Sequence, residues 1–181
     1  MARMSVGERL VVVERGDITQ GRTDAIVTAA NAGLRGGGGV DGAVHRAAGP
    51  ELLAACRALG GCPTGSAVVT PAFRLEAQGI RHVIHAVGPR WRGGGAGEAD
   101  LLRGAYWRSL ELAEEAGCAS ISFPSISTGV YGFPVAQAAP MAVAAARRFL
   151  AEQAGTLTQI VFVLFDPETQ GHFDSALAGR E

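Results

Sequence analysis

DAIVTAANAGLRGGGGVDGAVH, residues 24–45, sets an apolar run against four consecutive glycines. Ala25, Ile26 and Val27 with small neighbours make the pattern of a short strand covered on both faces. Gly36 to Gly39 follow Asn31 closely, and Val40-Asp41 opens what reads as a helix. Such a glycine run is either slack, or a backbone stripped of side chains so that it can lie against a ligand. In the second case Asn31 and Asp41 stand at its two ends.

The chain on either side repeats the strand-then-helix rhythm. RLVVVERGDIT carries the β-branched run Val11–Val13 and breaks at Gly16 and Asp17. VDGAVHRAAGPELLAACRAL reads as two helices parted at Gly49-Pro50, with Pro50 starting the second. GSAVVTPA and IRHVIHAVGP read as strands, and ADLLRGAYWRSLELAEEAG as an amphipathic helix of period about 3.6 residues. ASISFPSI is a further strand, and FPVAQAAPMAVAAARRFLAEQ a helix with Pro134 near its start and Pro140 as a kink. TQIVFVLFD is the last strand, before a short helix in PETQGHFDSALAG. Strands alternating with helices predict an α/β fold whose mainly parallel sheet is covered on both faces. With neither repeat nor linker, one domain over residues 1–181 is expected.

Composition excludes several functions. A formal net charge of −1 gives no broad footprint for nucleic acid or an anionic membrane. The sequence has no lysine, so all 16 basic side chains are Arg. That removes Schiff-base chemistry, Ser–Lys dyads and the Lys of a Walker-type loop. A bound phosphate must then be held by Arg or by backbone N–H groups. Cys56, Cys62 and Cys118 form no C-x-x-C pair and read as small apolar residues of a reduced protein. His82 and His85 point to opposite faces of one strand, so neither zinc nor another metal or cofactor is expected. No apolar run is long enough to span a bilayer, and MARMSVGERL lacks the pattern of a signal peptide; a cytoplasmic protein is expected. Nucleophile-elbow and zinc-protease motifs do not occur.

In parallel sheets ligands bind beyond the carboxyl ends of the strands. Four irregular stretches follow strands: GDIT, AANAGLRGGGGVD, VGPRWRGGGAGE and PSISTGVYGFP. In STGVYGFP, Gly129 and Gly132 let amides converge on an anion, and the next helix adds its N-terminal dipole. Tyr131 and Phe133 could wall a sugar or base; the alternative is a plain turn of small residues. Asp41 could instead be an ordinary N-cap. His45, one helical turn on, could be solvated or packed in the core. Asp17 is either a turn residue or an acceptor for an exocyclic amine such as that of adenine. GGGAG, Gly93–Gly97, reads as a mobile loop at the rim of a site.

Together these stretches resemble the macrodomain family, specifically its MacroD-type branch. The matching residues are GDIT (16–19), DAIV-AAN (24–31), GGGGVDGAVHRAAG (36–49), C-TG-A--T (62–70), HAVGP (85–89) and FPSISTGVYGFP (123–134). The resemblance runs in order along nearly the whole chain. It implies a three-layer α/β/α fold with a mixed, largely parallel sheet and a cleft for ADP-ribose. On the matching positions, Asp17 would bond the adenine amine with the Ile18 amide nearby, and Asn31 would orient the distal ribose. Gly36, Gly37, Gly38, Gly39 and Val40 would embrace the diphosphate from one side. Ser127, Thr128, Gly129, Val130, Tyr131 and Gly132 would close from the other, with Phe133 beside the distal ribose. The branch removes ADP-ribose from acidic side chains of proteins and hydrolyses O-acetyl-ADP-ribose. Asp41 matches its catalytic Asp, which takes a proton from water; such help gives roughly 10²–10⁴-fold. A binding-only ADP-ribose reader is the alternative.

The chain departs from the pattern where TAAN stands for the usual NAAN. Thr28 keeps a hydroxyl but loses an amide's paired donor and acceptor, which predicts weaker turnover without weaker binding. Arg35 stands where an apolar residue is common, and a solvated side chain is expected. Phe165 and Pro167 are candidates for the adenine-facing position.

Overall fold

The computed structural model describes residues 1–179. Seven strands form one sheet: β1 (Ala2–Val6), β2 (Arg9–Arg15), β3 (Ala25–Ala29), β4 (Ser66–Pro71), β5 (His82–Val87), β6 (Ser120–Phe123) and β7 (Gln159–Leu164). Their order is β1-β2-β7-β6-β3-β5-β4. β2, β7, β6, β3 and β5 run parallel, while β1 and β4 pair antiparallel at the two edges. The sheet is mixed and largely parallel, as the motifs implied.

Five helices connect the strands: α1 (Gly39–Ala48), α2 (Pro50–Leu59), α3 (Glu98–Glu115), α4 (Val135–Glu152) and α5 (Pro167–Leu177). Pro50 and Pro167 open α2 and α5, where the missing N–H costs nothing. Pro140 lies inside α4.

Strand alternation sorts the core into two layers. Val11 and Val13, Ala25 and Val27, Ile84 and Ala86, and Ile160 and Phe162 pack with α3, α4 and α5. Val12, Ile26, Val83, Val161 and Val163 face the other way, toward Val44, Ala48 and Leu52 of α1 and α2. Two short helices cannot cover a seven-stranded face. Over β2, β7 and β6 the sheet floors an open cleft of about 490 Å³ between Glu14, Asp17 and Ser122. Helices thus lie on both faces, as the three-layer expectation had it, with this cleft left open on one of them.

Because β2, β3, β5 and β6 run parallel, the four irregular stretches that follow them leave the sheet at one rim. The exit of β7 joins them.

Candidate active site

The GDIT turn follows β2 and forms a short 3-10 turn at Ile18–Gln20. Asp17 Oδ1 accepts the Thr19 amide at 2.9 Å and the Thr19 hydroxyl at 2.7 Å. The turn reading therefore holds, and Asp17 Oδ2 takes no part in it. The Gly16 amide bonds the Leu164 carbonyl at 3.0 Å, which brings the exit of β7 alongside. There Phe165 stands 85% exposed, a bare ring at the rim, whereas Pro167 is the first residue of α5.

After β3 the glycine loop is tied to Asn31. Asn31 Nδ2 donates to the Gly36 carbonyl at 2.8 Å, and its Oδ1 accepts the Arg35 amide at 3.0 Å. Asn31 thus braces the loop with both ends of its side chain. Gly36 and Gly39 take φ of 76° and 58°, the left-handed region that favours glycine. The exposed Arg35 side chain folds back over Gly33. Gly38 caps α1 with no side-chain bond, and the first intrahelical donor is the Gly42 amide. Among the described residues, the amides from Gly37 to Asp41 have no acceptor in the protein, so a helix N-terminus and a glycine loop present donors together.

Asp41 is not the N-cap. It sits in the first turn, faces inward and is buried. Its Oδ1 accepts the Thr28 hydroxyl at 2.9 Å and lies 3.6 Å from His45 Nε2. Burial pushes the Asp41 carboxyl up, while the Thr28 hydroxyl and the His45 imidazole pull it back. Both partners converge on one oxygen, and among the described residues Oδ2 accepts no hydrogen bond. Thr28 is fully buried on β3, and its one side-chain bond is to Asp41.

Behind Asp41, His45, Cys56 and His85 bring potential metal-ligand atoms within 4.8 Å of one another. Comparing His82 with His85 along one strand missed this trio, which comes from α1, α2 and β5. His85 Nε2 lies 2.9 Å from the Thr70 hydroxyl. Cys56 Sγ is nearly equidistant from both His85 nitrogens, at 3.7 and 3.8 Å, and so off the lone-pair line of either. Burial lifts the Cys56 thiol to about 11 and, with His45 nearby, lowers His85 to about 4. Thiol and imidazole pack here as neutral groups.

The loop after β6 makes a second cradle; it leaves the sheet next to the loop after β3, since the two strands pair in parallel. Ser127 adopts φ of 68°, unusual without glycine, and costs roughly 1–2 kcal/mol. The loop closes on itself through Gly132 N to Gly129 O and Phe133 N to Ser127 O, each 3.0 Å. Among the described residues, the Thr128, Gly129, Val130 and Tyr131 amides have no acceptor in the protein. Ser127 Oγ is buried without a partner. Gly88 of HAVGP makes room for this turn: a Cβ there would collide with Ser127 Oγ and stand 2.5 Å from Ile126 Cγ2. Phe133 is buried against Trp91, ring centroids 4.7 Å apart, so it supports the loop from beneath and forms no open wall. That corrects its expected place beside a sugar; Tyr131, half-buried, keeps an accessible face.

The loop after β5 is not slack either. Glu98, at the start of α3, is buried and accepts the amides of Arg92, Gly94 and Ala96 at 2.9, 2.8 and 2.6 Å. Those amides hold its carboxyl down to about 2. Trp91 N bonds Tyr131 O at 2.7 Å and joins this loop to the second cradle. The glycines at 93–97 wrap one carboxylate, in place of the mobile loop expected from sequence.

Two cradles of unpaired amides, an acidic acceptor at one end of the rim and a buried carboxylate at the other suit an extended, diphosphate-bearing ligand. The comparisons agree in kind. The Macro domain pattern matches residues 27–142. The chain is 56% identical over 165 residues to the O-acetyl-ADP-ribose deacetylase of Salmonella typhimurium, covering 89% of each chain. It is 54% identical over 168 residues to a Macro domain-containing protein of Lactiplantibacillus plantarum, covering 93% of this chain and 96% of that one. The Oceanobacillus iheyensis macrodomain with ADP superposes at a TM-score of 0.92 and 39% identity, over 98% of this chain and 95% of that one. The Trypanosoma brucei macrodomain in complex with ADP-ribose gives 0.84 and 40%, over 92% and 68%. With a relative sharing more than half its residues over nine-tenths of the chain, and the fold to match, this protein belongs to the macrodomain family.

Proposed function

We propose that this protein, a single domain, binds ADP-ribose and hydrolyses ADP-ribose esters: O-acetyl-ADP-ribose, and mono-ADP-ribosyl esters of protein Asp and Glu. The observation that carries the reading is Asp41, buried in the first turn of α1 beside the unpaired amides of Gly37–Val40, with one oxygen hydrogen-bonded to Thr28 and the other not hydrogen-bonded among the described residues. The diphosphate lies on the amides of Gly37–Val40 and Thr128–Tyr131, the adenine amine meets Asp17, and Phe165 offers its ring to the base. Asn31 serves the distal ribose through the loop that it braces.

Water loses a proton to Asp41 Oδ2 as its oxygen bonds to the ester's acyl carbon. The bond from that carbon to the ribose oxygen breaks, and the ribose oxygen takes the proton back. A carboxylate lifted by burial is a stronger base than a solvated one, and Thr28 and His45 oppose that lift. The ester is labile, so one base and good positioning suffice. The binding-only alternative draws on Thr28 as a defect and on the many binding-only members of the fold; a Thr28 hydroxyl bonded to Asp41 removes the first ground.

Replacing Asp41 with Ala tests the reading. Release of acetate from O-acetyl-ADP-ribose, and of ADP-ribose from an ADP-ribosylated peptide, should be abolished. ADP-ribose binding should stay within about tenfold, or about 1.4 kcal/mol. Full activity in the variant, or a wild type that binds ADP-ribose and releases nothing, overturns it.

A further inference from the structure

Beside Asn31 the rim opens into a cavity of about 480 Å³. Asn31, Thr64, Gly88, Tyr131, Arg90 and Arg92 are among the residues that line it. The cavity begins at the residue that serves the distal ribose, so it lies where the group esterified to that ribose must leave the cleft.

Its exposed charge is positive. Arg81, Arg103, Arg108 and Arg148 each meet a carboxylate within 4.0 Å, whereas most of the described arginines stand without one. Arg90 and Arg92 form no ion pair among the described residues. The one carboxylate bordering the cavity, Glu98, spends its oxygens on three backbone amides. Two unpaired guanidinium groups thus share one pocket in a chain of net charge −1.

One of the two is also held in place. The Arg90 guanidinium lies 4.5 Å from the Tyr131 ring centroid, a cation–π contact that orients it. Arg92 is anchored to Glu98 through its backbone amide, and its side chain is exposed. A preorganised guanidinium suits a carboxylate, which it binds in bidentate fashion with little further loss of entropy.

We infer that the Arg90–Arg92 pocket receives the acidic segment flanking the modified residue of an ADP-ribosylated protein, and so selects protein esters in an acidic sequence context. The inference rests on the proposed hydrolysis of protein esters. The acetyl group of O-acetyl-ADP-ribose is too small to reach the arginines. Discrimination therefore falls on protein substrates alone.

The test compares two peptides mono-ADP-ribosylated on one Glu, with flanks of Asp and Glu or of Asn and Gln, beside O-acetyl-ADP-ribose. Wild-type protein should show a kcat/KM roughly three- to tenfold higher on the acidic peptide, and salt should narrow the gap. R92Q, which leaves the Arg90–Tyr131 contact intact, should lose part of the preference, and R90Q/R92Q all of it. Both variants should hydrolyse O-acetyl-ADP-ribose within about twofold of wild type. Equal rates on the two peptides, or a preference that survives R90Q/R92Q, overturn the inference alone. Hydrolysis of O-acetyl-ADP-ribose with no release from either peptide overturns the protein-ester reading and the inference with it.

Discussion

Replacing Thr28 with Val keeps the β-branched shape and removes one hydroxyl. In the fold that hydroxyl has a single side-chain bond, 2.9 Å to Asp41 Oδ1, in a place without solvent. A hydrogen bond to a charged group contributes roughly 1.5–3 kcal/mol, and here all of it favours the ionised carboxylate. Burial already pushes the Asp41 carboxyl up, and Thr28 is the larger of the two influences that oppose burial. Thr28→Val should therefore move the acid limb of the pH–rate profile to higher pH. On that limb kcat/KM should fall by roughly 10- to 150-fold, the factor that 1.5–3 kcal/mol converts to. On the alkaline plateau the variant should approach wild type, because the carboxylate is then ionised in both. Stability should follow the same sign. A carboxyl whose folded pKa is raised favours the fold below its unfolded value and loses that contribution as pH rises through the folded one, so urea midpoints of T28V should fall more steeply with pH from about 3.9 upward. Acetate release measured between about pH 4 and 9 would show the shift, and Thr28→Ser, with its hydroxyl restored, should recover most of it. Superimposable pH profiles for wild type and T28V would refute the coupling, as would a drop of equal size at every pH.

Other perturbations probe the frame. Gly88→Ala places a methyl on Ser127 and Ile126 at the base of the second cradle, so ADP-ribose affinity should fall by at least about tenfold in calorimetric titration; unchanged affinity would mean that the loop adapts. Tyr106→Phe leaves the Ile126 amide, now 3.0 Å from the buried phenol oxygen, without an acceptor; unfolding in urea should show a loss of about 1–3 kcal/mol.

The parallel strands, their helices and the four rim loops were legible because each rests on local pattern: β-branched runs, amphipathic spacing, glycine at turns. Asn31, Asp17 and the glycines were legible as motifs. What stayed hidden lies in long-range pairs. Thr28 looked like a loss because its partner is 13 residues away, on another element. Glu98 carries no signal in the sequence; only the folded loop shows the amides of Arg92, Gly94 and Ala96 gathered on its carboxylate. The Cys56–His85 contact joins a helix to a strand, and spacing along β5 gave no hint of it. β1 escaped because ARMSV alternates half-buried with exposed residues at a sheet edge and offers no apolar run. Phe133 was assigned by kind and position, yet aromatic side chains at a site serve as often beneath a loop as on its surface.

The two oxygens of Asp41 divide opposing requirements. A general base must be basic, which burial supplies, and ionised, which burial opposes. Placing Thr28 and His45 both on Oδ1 opposes the effect of burial from behind and, in the proposed reaction, leaves Oδ2 to the water. Beyond His45 the neighbours are an imidazole that burial keeps neutral and a thiol that burial keeps protonated. In the proposed binding mode the glycine loops solve the matching problem in front, where the ligand would bring two negative phosphates toward the Asp41 carboxyl. Unpaired amides can hold the phosphates at that distance with partial charges alone, and a lysine ammonium there would instead have paired with Asp41. A chain without lysine, with four glycines between Asn31 and Asp41 and a buried hydroxyl behind the base, is a consistent answer to one electrostatic constraint.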